Sequence, residues 1–263
     1  MKLDPSRVLI QPEFHERGAW YALARERGFG LELVSLAMPR TLNDAGAAAR
    51  HAEAYRAELA GWRAPLAMHG PFVDVVVHSS DRRMAEAGRS RVTECLEAAA
   101  LIGASHVVFH TGMIFPVKTG TRWKRGAEIQ GGFWRETLER FPGVTVCLEN
   151  LWEPGPEPLR AVLDAAAHPR LRVCFDVGHA HVYGRETVEA WLDTLGADVV
   201  HVHVNDNEGE EDSELPLGRG GIDWPRVFSA VAALPAPPLT VIEVATLDEV
   251  RESIGFLESS ALL

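Results

Sequence analysis

Short runs of β-branched and other apolar residues alternate with longer amphipathic segments along this 263-residue chain. The short runs predict eight strands, and segments rich in Ala, Leu, Arg and Glu predict helices between them. The predicted strands cover residues 8–14, 30–37, 65–70, 106–111, 144–150, 172–177, 199–205 and 239–244. The clearest helical patterns cover residues 44–59, 89–102, 158–167, 186–195, 224–233 and 247–258.

Repeated alternation of strand and helix implies a parallel sheet with right-handed crossovers. A doubly wound open sheet is the alternative, but no GxGxxG dinucleotide fingerprint follows the first predicted strand. Polar residues also gather at the ends of many strands, whereas an open sheet would concentrate them at one switch point. We therefore predict an α/β fold, a (β/α)8 TIM barrel that occupies residues 1–263 as a single domain.

Composition and charge narrow the range of partners. The hydrophobic fraction of 46% and charged fraction of 24% are typical of soluble globular proteins. With no visible signal peptide or long apolar run, we expect a cytoplasmic protein without a membrane partner. The net charge of −11 disfavours nucleic acid as a partner without excluding a local basic patch. A homodimer remains open, and the widely spaced Cys95, Cys147 and Cys174 are expected to be small core residues.

Six consecutive predicted strands, from the third to the eighth, deliver a His, Asp or Glu at one end. In a barrel this end is the C-terminal face, where active sites are built. Alternation along each strand indicates that these side chains point inward, since Val241 and Glu243 share a face, as do Val108 and His110. The strand-end residues are His69, His110, Glu149, Asp176, His203 and Glu243.

Taken singly, such a carboxylate usually caps a helix and such a histidine usually lies satisfied in the core. Together, Glu149, Asp176 and Glu243 would repel one another, and unpaired buried carboxylates cost several kcal/mol. The chain has no set of strand-end Lys or Arg residues to neutralise them. A divalent cation is the simplest solution, and mixed imidazole and carboxylate ligands favour Mn, Zn or Co. We expect one to three such ions.

Two further histidines and an acidic loop adjoin these strand ends. His179 follows strand six and is a candidate metal ligand or substrate contact, whereas His201 lies deeper than His203 and is expected to support the site. Residues 206–222 form the longest stretch without a pattern, and long loops in compact domains are usually functional. Asp212 and Glu214 in this loop are candidate ligands, although an acidic run is also typical of a solvated face.

These residues resemble the xylose isomerase-like TIM barrel superfamily, which contains sugar isomerases and epimerases and the AP endonuclease family 2 (endonuclease IV) enzymes. The resemblance follows the order of strands three to eight over most of the chain. It is carried by HGPF at 69–72, LEN at 148–150, DVGH at 176–179, HVND at 203–206, GRGGIDW at 218–224 and IE at 242–243.

The resemblance implies one of two ligand arrangements. In single-metal, epimerase-like members, Glu149, Asp176, His203 and Glu243 would hold the ion, and Glu149 and Glu243 would also transfer protons. His179 would hold a substrate oxygen. Two residues depart from the family patterns: ketose 3-epimerases tend to carry Arg at the position of Gly209, six residues after the strand-seven histidine, and the nuclease loop carries His at the position of Glu214.

In trinuclear, nuclease-like members the resemblance implies that Glu149 bridges two sites. His69 and His110 would complete the first site. The second site would keep the epimerase-like ligands. The third site would use His179 with Asp212 and Glu214.

Three functions follow from this comparison. The first is a metal-dependent isomerase or epimerase of a small sugar or related polyol-ketone, with proton transfer by glutamate. The second is a phosphodiester hydrolase of the abasic-site endonuclease type, which extra histidine ligands and a basic cluster after strand four favour. The third is a non-catalytic metal-binding barrel. The basic cluster, which is alternatively a solvated loop and helix start, comprises Lys118, Arg122, Trp123, Lys124 and Arg125.

Overall fold

The computed structural model describes residues 3–72, 74–115 and 122–262. Eight parallel strands pair in chain order, and the first closes on the eighth to form a complete barrel. The strands are β1 (Val8–Ile10), β2 (Gly30–Leu33), β3 (Leu66–His69), β4 (His106–His110), β5 (Thr145–Glu149), β6 (Leu171–Asp176), β7 (Val199–Val204) and β8 (Leu239–Ile242). The predicted (β/α)8 architecture is therefore confirmed, while the prediction that residues 1–263 form one domain also covers residues outside the described ranges.

Helices cover the outside of the barrel. They are α1 (Arg17–Arg27), α2 (Pro39–Leu42), α3 (Ala45–Glu58), α4 (Arg82–Ile102), α5 (Arg122–Arg140), α6 (Glu157–Ala166), α7 (Val177–Tyr183), α8 (Val188–Leu195), α9 (Trp224–Ala232) and α10 (Leu247–Ser259). Two short 3-10 helices, Pro5–Arg7 and Gly196–Asp198, precede β1 and β7. The six helical patterns recognised in the sequence all correspond to helices. Their ends agree within two residues, except that α4 begins seven residues earlier than predicted.

The first two strands are shorter than the pattern predicted. Pro12 has no N–H to donate to a neighbouring strand, and β1 ends two residues before it. In β2 the chain turns after Leu33, where the Ala37 N–H donates to the Val34 carbonyl at 2.8 Å. Both predicted strands therefore included residues of the loop that follows the strand. These loops lie at the end of the barrel that carries the predicted site.

The barrel interior is filled in layers. Leu9, Ala67, Leu239 and Val241 form an apolar cluster, and Val108, Cys147 and Cys174 form another. Alternation then places His110 and Glu149 two residues beyond Val108 and Cys147, in register with each other across β4 and β5. The interior therefore changes from apolar to polar towards the C-terminal ends of the strands. All three cysteines are buried and free, as expected of core residues.

Most of the large apolar side chains pack between the strands and the helices. Trp20, Trp134, Trp191 and Trp224 are each almost fully buried in this layer. Bulky rings there hold the helices against the strands, and so fix the strand ends from which the site is built. No helix within the described ranges is long and apolar enough to span a membrane.

Candidate metal centre

Four of the predicted strand-end residues converge at the C-terminal mouth of the barrel. Glu149, Asp176, His203 and Glu243 each offer one ligand atom, and these atoms lie within 4.8 Å of one another. The Nδ1 atom of His203 lies 2.9 Å from Glu149 Oε1 and 2.8 Å from Glu243 Oε2. It also lies 3.7 Å from Asp176 Oδ2. A single four-residue cluster therefore forms at the C-terminal ends of the strands. Three of its residues lie at or next to the ends of β5, β6 and β7, and the fourth, Glu243, directly follows β8.

A second cluster shares Glu149 with the first. His69 Nε2 and His110 Nε2 lie 3.1 and 2.8 Å from Glu149 Oε2, and the three residues form a separate group of candidate ligands. The other oxygen of Glu149, Oε1, is the one that approaches His203. One carboxylate thus presents its two oxygens to two different sets of imidazoles, which is the arrangement of a bridging ligand.

Unsatisfied atoms in these clusters fit a cation. Glu149 and His203 are almost completely buried, yet Glu149 Oε1 and His203 Nδ1 have no hydrogen-bond partner of acceptable geometry. Buried polar atoms without partners are rare in proteins and need a physical explanation. Imidazole nitrogens and carboxylate oxygens converging on one point suit a divalent transition metal. The residues present therefore fit a divalent ion of the Zn, Mn or Co type.

One histidine is already oriented for this role. The Nδ1 atom of His69 lies 2.8 Å from the Gly70 carbonyl oxygen, so this nitrogen carries the proton and donates to it. The Nε2 atom then faces Glu149 Oε2 at 3.1 Å. Metal-ligating histidines are commonly fixed by such a hydrogen bond from the other ring nitrogen.

Buried carboxylates of the cluster differ sharply in proton affinity. Burial, together with the nearby charges of Glu149 and Glu243, raises the pKa of Asp176 well above its ordinary value. Burial acts in the same direction on Glu149, but the His203 and His110 rings outweigh it and hold the pKa of Glu149 well below its ordinary value. Without a cation the cluster must therefore share protons, and metal binding releases protons from such sites.

The third predicted group is only partly assembled. His179 is buried, and its Nδ1 donates to the Asn150 carbonyl at 2.8 Å while its Nε2 lies 3.0 Å from Asp212 Oδ2. Glu214 is exposed and adopts a positive φ of 45°. Within the described ranges, none of the candidate ligand groups of three or more includes these residues. The structure thus brings His179 and Asp212 into contact, whereas the contacts of the His179 ring within 4.0 Å do not include Glu214.

The Glu214 carboxylate is nevertheless perturbed. Although the residue as a whole is exposed, partial burial of its carboxylate, with Glu243 and Asp212 nearby, raises the pKa of Glu214 to about 7. Its role as a ligand stays a prediction.

Sequence reasoning missed two residues behind the site, Glu32 and Gln11. Glu32 on β2 is fully buried, with Oε2 2.8 Å from His201 Nε2 and Oε1 3.1 Å from His203 Nε2. The Gln11 amide donates to Glu32 Oε1 and to Glu243 Oε1, both at 2.9 Å. A glutamate between two leucines inside an apolar strand was the signal in the sequence. The supporting position predicted for His201 agrees with this contact.

Another missed feature is the anchor of the acidic loop, Asp206. Its carboxylate accepts hydrogen bonds from the Gly218 and Ile222 N–H groups and from the Trp224 indole. A Cβ added at Gly220 would lie 2.4 Å from Asp206 Oδ1, so the glycine-rich turn allows the close approach. The GRGGIDW motif therefore acts by fixing the loop that carries Asp212.

The basic cluster after strand four lies partly in the described residues. Arg122, Trp123, Lys124 and Arg125 occupy the first turn of α5, and the three cationic residues are exposed. Lys118 lies outside the described residues. None of these residues belongs to the candidate metal-ligand groups within the described ranges.

Comparison with known proteins gives one family match. The sequence model of a family described as "Xylose isomerase-like TIM barrel" matches residues 21–260. Among curated relatives, "Uncharacterized protein MJ1311" from Methanocaldococcus jannaschii is 27% identical over 180 residues, which cover 62% of this chain and 58% of that protein. A "Probable endonuclease 4" from Mycobacterium tuberculosis is 28% identical over 210 residues, covering 73% of this chain and 77% of that protein.

Solved structures agree on the architecture. The TTHB071 protein from Thermus thermophilus, in a crystal soaked with zinc chloride, is 27% identical with a TM-score of 0.78, covering 97% of this chain and 98% of that one. A D-tagatose 3-epimerase-like protein is 20% identical with a TM-score of 0.78, covering 97% of this chain and 96% of that one. At 20% identity, the second likeness shows the fold alone.

Proposed function

The chain belongs to the xylose isomerase-like TIM barrel family, and from that premise we propose that it is a divalent-metal-dependent isomerase or epimerase of a small, sugar-like hydroxy-ketone. The observation that carries this proposal is the cluster of Glu149, Asp176, His203 and Glu243 at the mouth of the barrel. Two of its carboxylates come from positions three strands apart in the barrel, β5 and β8. They approach the centre from different directions, as proton removal and return at two positions require.

A divalent ion bound here would polarise a substrate carbonyl and acidify the neighbouring C–H bond. Glu243 is the more accessible carboxylate, with 15% of its side chain exposed against 1% for Glu149. Gln11 donates to Glu243 Oε1 and fixes the orientation of that carboxylate. One of the two glutamates accepts the carbon-bound proton and the other returns a proton at the opposite face or the adjacent carbon.

His179 has the position of a substrate contact. Its ring is fixed by the Asn150 carbonyl on one side, and the Nε2 atom is directed towards Asp212 at the edge of the site. The burial of the ring is opposed by the charges of Asp176 and Asp212, which raise the pKa of His179 well above its ordinary value. We therefore assign it the role of donating a hydrogen bond to a substrate oxygen.

An acidic rim supports a small substrate of low negative charge. The loop after β7 carries five acids between Glu208 and Glu214, and it reaches the site through Asp212. A strongly negative field at the mouth repels a polyanion more than a neutral sugar. This charge distribution favours the isomerase over an enzyme that acts on a nucleic acid duplex.

Exchange of substrate hydrogen with solvent deuterium tests the proposal directly. A panel of ketoses and aldoses is incubated with Mn²⁺- or Co²⁺-loaded protein in deuterium oxide, and C–H exchange is followed by proton NMR. We expect at least one substrate to exchange, and Glu243→Gln to slow that exchange by about 10²- to 10⁴-fold, because the variant loses a carboxylate proposed both to bind the ion and to transfer the proton. Elemental analysis gives the metal content of the variant. Glu97→Gln, on the exposed face of α4, is the matched control. Absence of C–H exchange with every sugar in the panel would contradict the proposal.

A second candidate, metal-dependent phosphodiester hydrolysis, is favoured by the division of the Glu149 oxygens between two histidine sets. Two ions held about 3.5–4 Å apart clamp the attacking and leaving oxygens of a phosphodiester. A nicking assay on a duplex with one abasic site, with Zn²⁺-loaded protein, distinguishes this activity. Cleavage that is lost in Glu149→Ala and kept in Glu97→Gln would replace the isomerase with the hydrolase.

A further inference from the structure

A cavity of about 800 Å³ lies among the loops at the C-terminal ends of β3 and β4. Its walls come from the β3–α4 connection, the segment after β4 and the start of α5. The first two of these leave the strand ends that carry His69 and His110. Met113, in the cavity wall, is only three residues beyond His110, so their Cα atoms lie within about 11 Å of each other. None of the candidate metal ligands lines this cavity, so a ligand bound in it would leave them free.

One face of α5 supplies positive charge to the cavity. Arg122 and Arg125 line it, and Gly126 and Ile129 continue the same helical face at spacings of four and seven residues. Within the described ranges neither arginine has a carboxylate within 4.0 Å. The adjoining residues 116–121 contain no acid in the sequence. Two uncompensated guanidinium groups in a chain of net charge −11 indicate an anionic ligand.

The remaining walls fit more than a bare anion. Phe115 and Trp123 form an aromatic corner, with ring centroids 6.3 Å apart at an angle of 53°. Ile114, half exposed, lies beside them, and Ser79 and Ser80 add hydroxyl groups. The volume is within the range of ligand pockets, about 300–1,000 Å³, and is much larger than inorganic phosphate needs. Aromatic faces of this kind stack on flat rings.

We infer that this cavity binds a phosphate monoester carried on a ring, with the phosphate at Arg122 and Arg125 and the ring at Trp123 and Phe115. Guanidinium groups bind phosphate through paired, charge-assisted hydrogen bonds, and this preference favours phosphate over an uncharged polar group. Two sources share this chemistry, a phosphorylated sugar and a nucleoside monophosphate. The inference concerns binding and stands whether or not the proposed isomerisation occurs.

Isothermal titration calorimetry separates these sources. Fructose 6-phosphate and adenosine monophosphate are compared with fructose, adenosine and inorganic phosphate, using both metal-free and metal-loaded protein. We expect one of the two esters to bind at least about tenfold more tightly than its parent compound and than inorganic phosphate. The ester that binds identifies the source, and binding to metal-free protein separates the cavity from the metal centre.

Variants of α5 provide the decisive comparison. Arg122→Ala and Arg125→Ala should each weaken ester binding by about tenfold or more, because each removes a charged donor. Arg135→Ala is the matched control, since Arg135 is exposed on the same helix but does not line the cavity. Its ester affinity should stay within about twofold of the wild type. Thermal unfolding checks that the three variants fold alike.

Four results would overturn the inference. They are equal binding of esters and parent compounds, equal binding of esters and inorganic phosphate, ester binding that is unchanged in both arginine variants, and no binding of either ester. Binding seen only with metal and retained in both arginine variants belongs to the metal centre, and counts as the third of these results.

Discussion

Glu32 shows how one buried residue supports a site that it does not complete. It lies beneath the four-residue cluster, where its two oxygens contact His201 and His203. The pKa of Glu32 is held well below its ordinary value because these two rings outweigh the effect of burial. Groups that orient a ligand from behind often affect metal affinity nearly as strongly as the ligands.

Replacement of Glu32 by Gln should therefore weaken metal binding by about 10- to 100-fold without removing a ligand. The amide keeps the shape of the side chain but lacks the negative charge that orients and stabilises the His203 ring. Competition with a chromogenic chelator measures the affinity. Glu26→Gln, on the exposed face of α1, serves as the control, and an unchanged metal affinity in Glu32→Gln would contradict this role.

We predict that His69 and His110 determine how many ions the centre binds. If Glu149 bridges two ions, zinc-loaded wild-type protein should contain at least two equivalents and the double variant His69→Ala/His110→Ala one fewer. The four-residue cluster keeps all its ligands in that variant, so one ion should remain. Elemental analysis of zinc-loaded protein after gel filtration measures this, with exposed His15→Ala as the control. An unchanged metal content in the double variant would show that these histidines bind no ion.

At the scale of elements, the packing of α5 against α6 depends on a glycine, which has no side chain to keep the two helices apart. A Cβ at Gly131 in α5 would lie 2.5 Å from Ala165 Cβ and 2.7 Å from the Ala165 carbonyl carbon in α6. The two helices therefore approach as closely as glycine permits. The glycines of α5 also lower its helical propensity, which explains why its pattern was not among the clear helices of the sequence.

The adjacent glycines of α5 give opposite predictions on substitution by alanine. Gly131→Ala should destabilise the protein by about 1–3 kcal/mol, because the new methyl group forces α6 away. Gly132→Ala has no atom within 4 Å of the added Cβ and should stabilise by about 0.5–1 kcal/mol through helix propensity. Urea unfolding of the two variants measures both effects. If both variants change the free energy of unfolding by a similar amount and in the same direction, then the close packing of α5 on α6 does not control the effect of the substitution at Gly131.

The acidic loop between β7 and α9 is held in place by hydrogen bonds at Asp206, near its start. Asp206, two residues beyond the end of β7, accepts hydrogen bonds from the glycine-rich turn before α9 and from Trp224, and the residues between Asp206 and this turn carry the exposed acids. A single buried carboxylate thus positions Asp212 next to His179. The charge pattern of the loop was plain in the sequence, whereas this anchor was not.

For the whole molecule, the candidate ligands connect six of the eight strand positions, from β3 to β8. An ion that binds only the folded state stabilises it by about 2.7 kcal/mol at a free concentration 100 times its dissociation constant. Metal loading should therefore raise the unfolding temperature by about 5–10 °C in a chain of this size. Thermal scans with Zn²⁺ and with a chelator in excess test this.

Asp176→Asn is the matched variant for that experiment. Asparagine keeps the N-cap of α7, where the Asp176 carboxylate accepts from the His179 N–H, but supplies a neutral ligand atom. The metal-dependent rise should shrink or disappear in this variant. A rise equal to that of the wild type would show that the stabilising ion binds elsewhere.

Periodicity in the sequence was sufficient for the barrel and for the six strand-end residues. Alternating burial along a strand is a local property, and the order of strands in a parallel barrel follows the chain, so His110 and Glu149 could be predicted as neighbours. The short β1 and β2 strands carry the residues that were overlooked. Gln11 lies just past a strand end, and Glu32 lies within a strand where its neighbours suggested only core.

What the sequence determined by itself was the architecture and the set of side chains that meet at one end of it, because strand period and chain order fix both. The tertiary structure alone decided which oxygen of Glu149 faces which histidines, that Glu32 and Gln11 contact the cluster from behind, and that Asp212 rather than Glu214 contacts the His179 ring. It also formed the cavity of Arg122 and Arg125 from two separate loops. These features depend on side-chain rotamers and loop paths, which long-range packing sets and which leave no periodic signal in the chain.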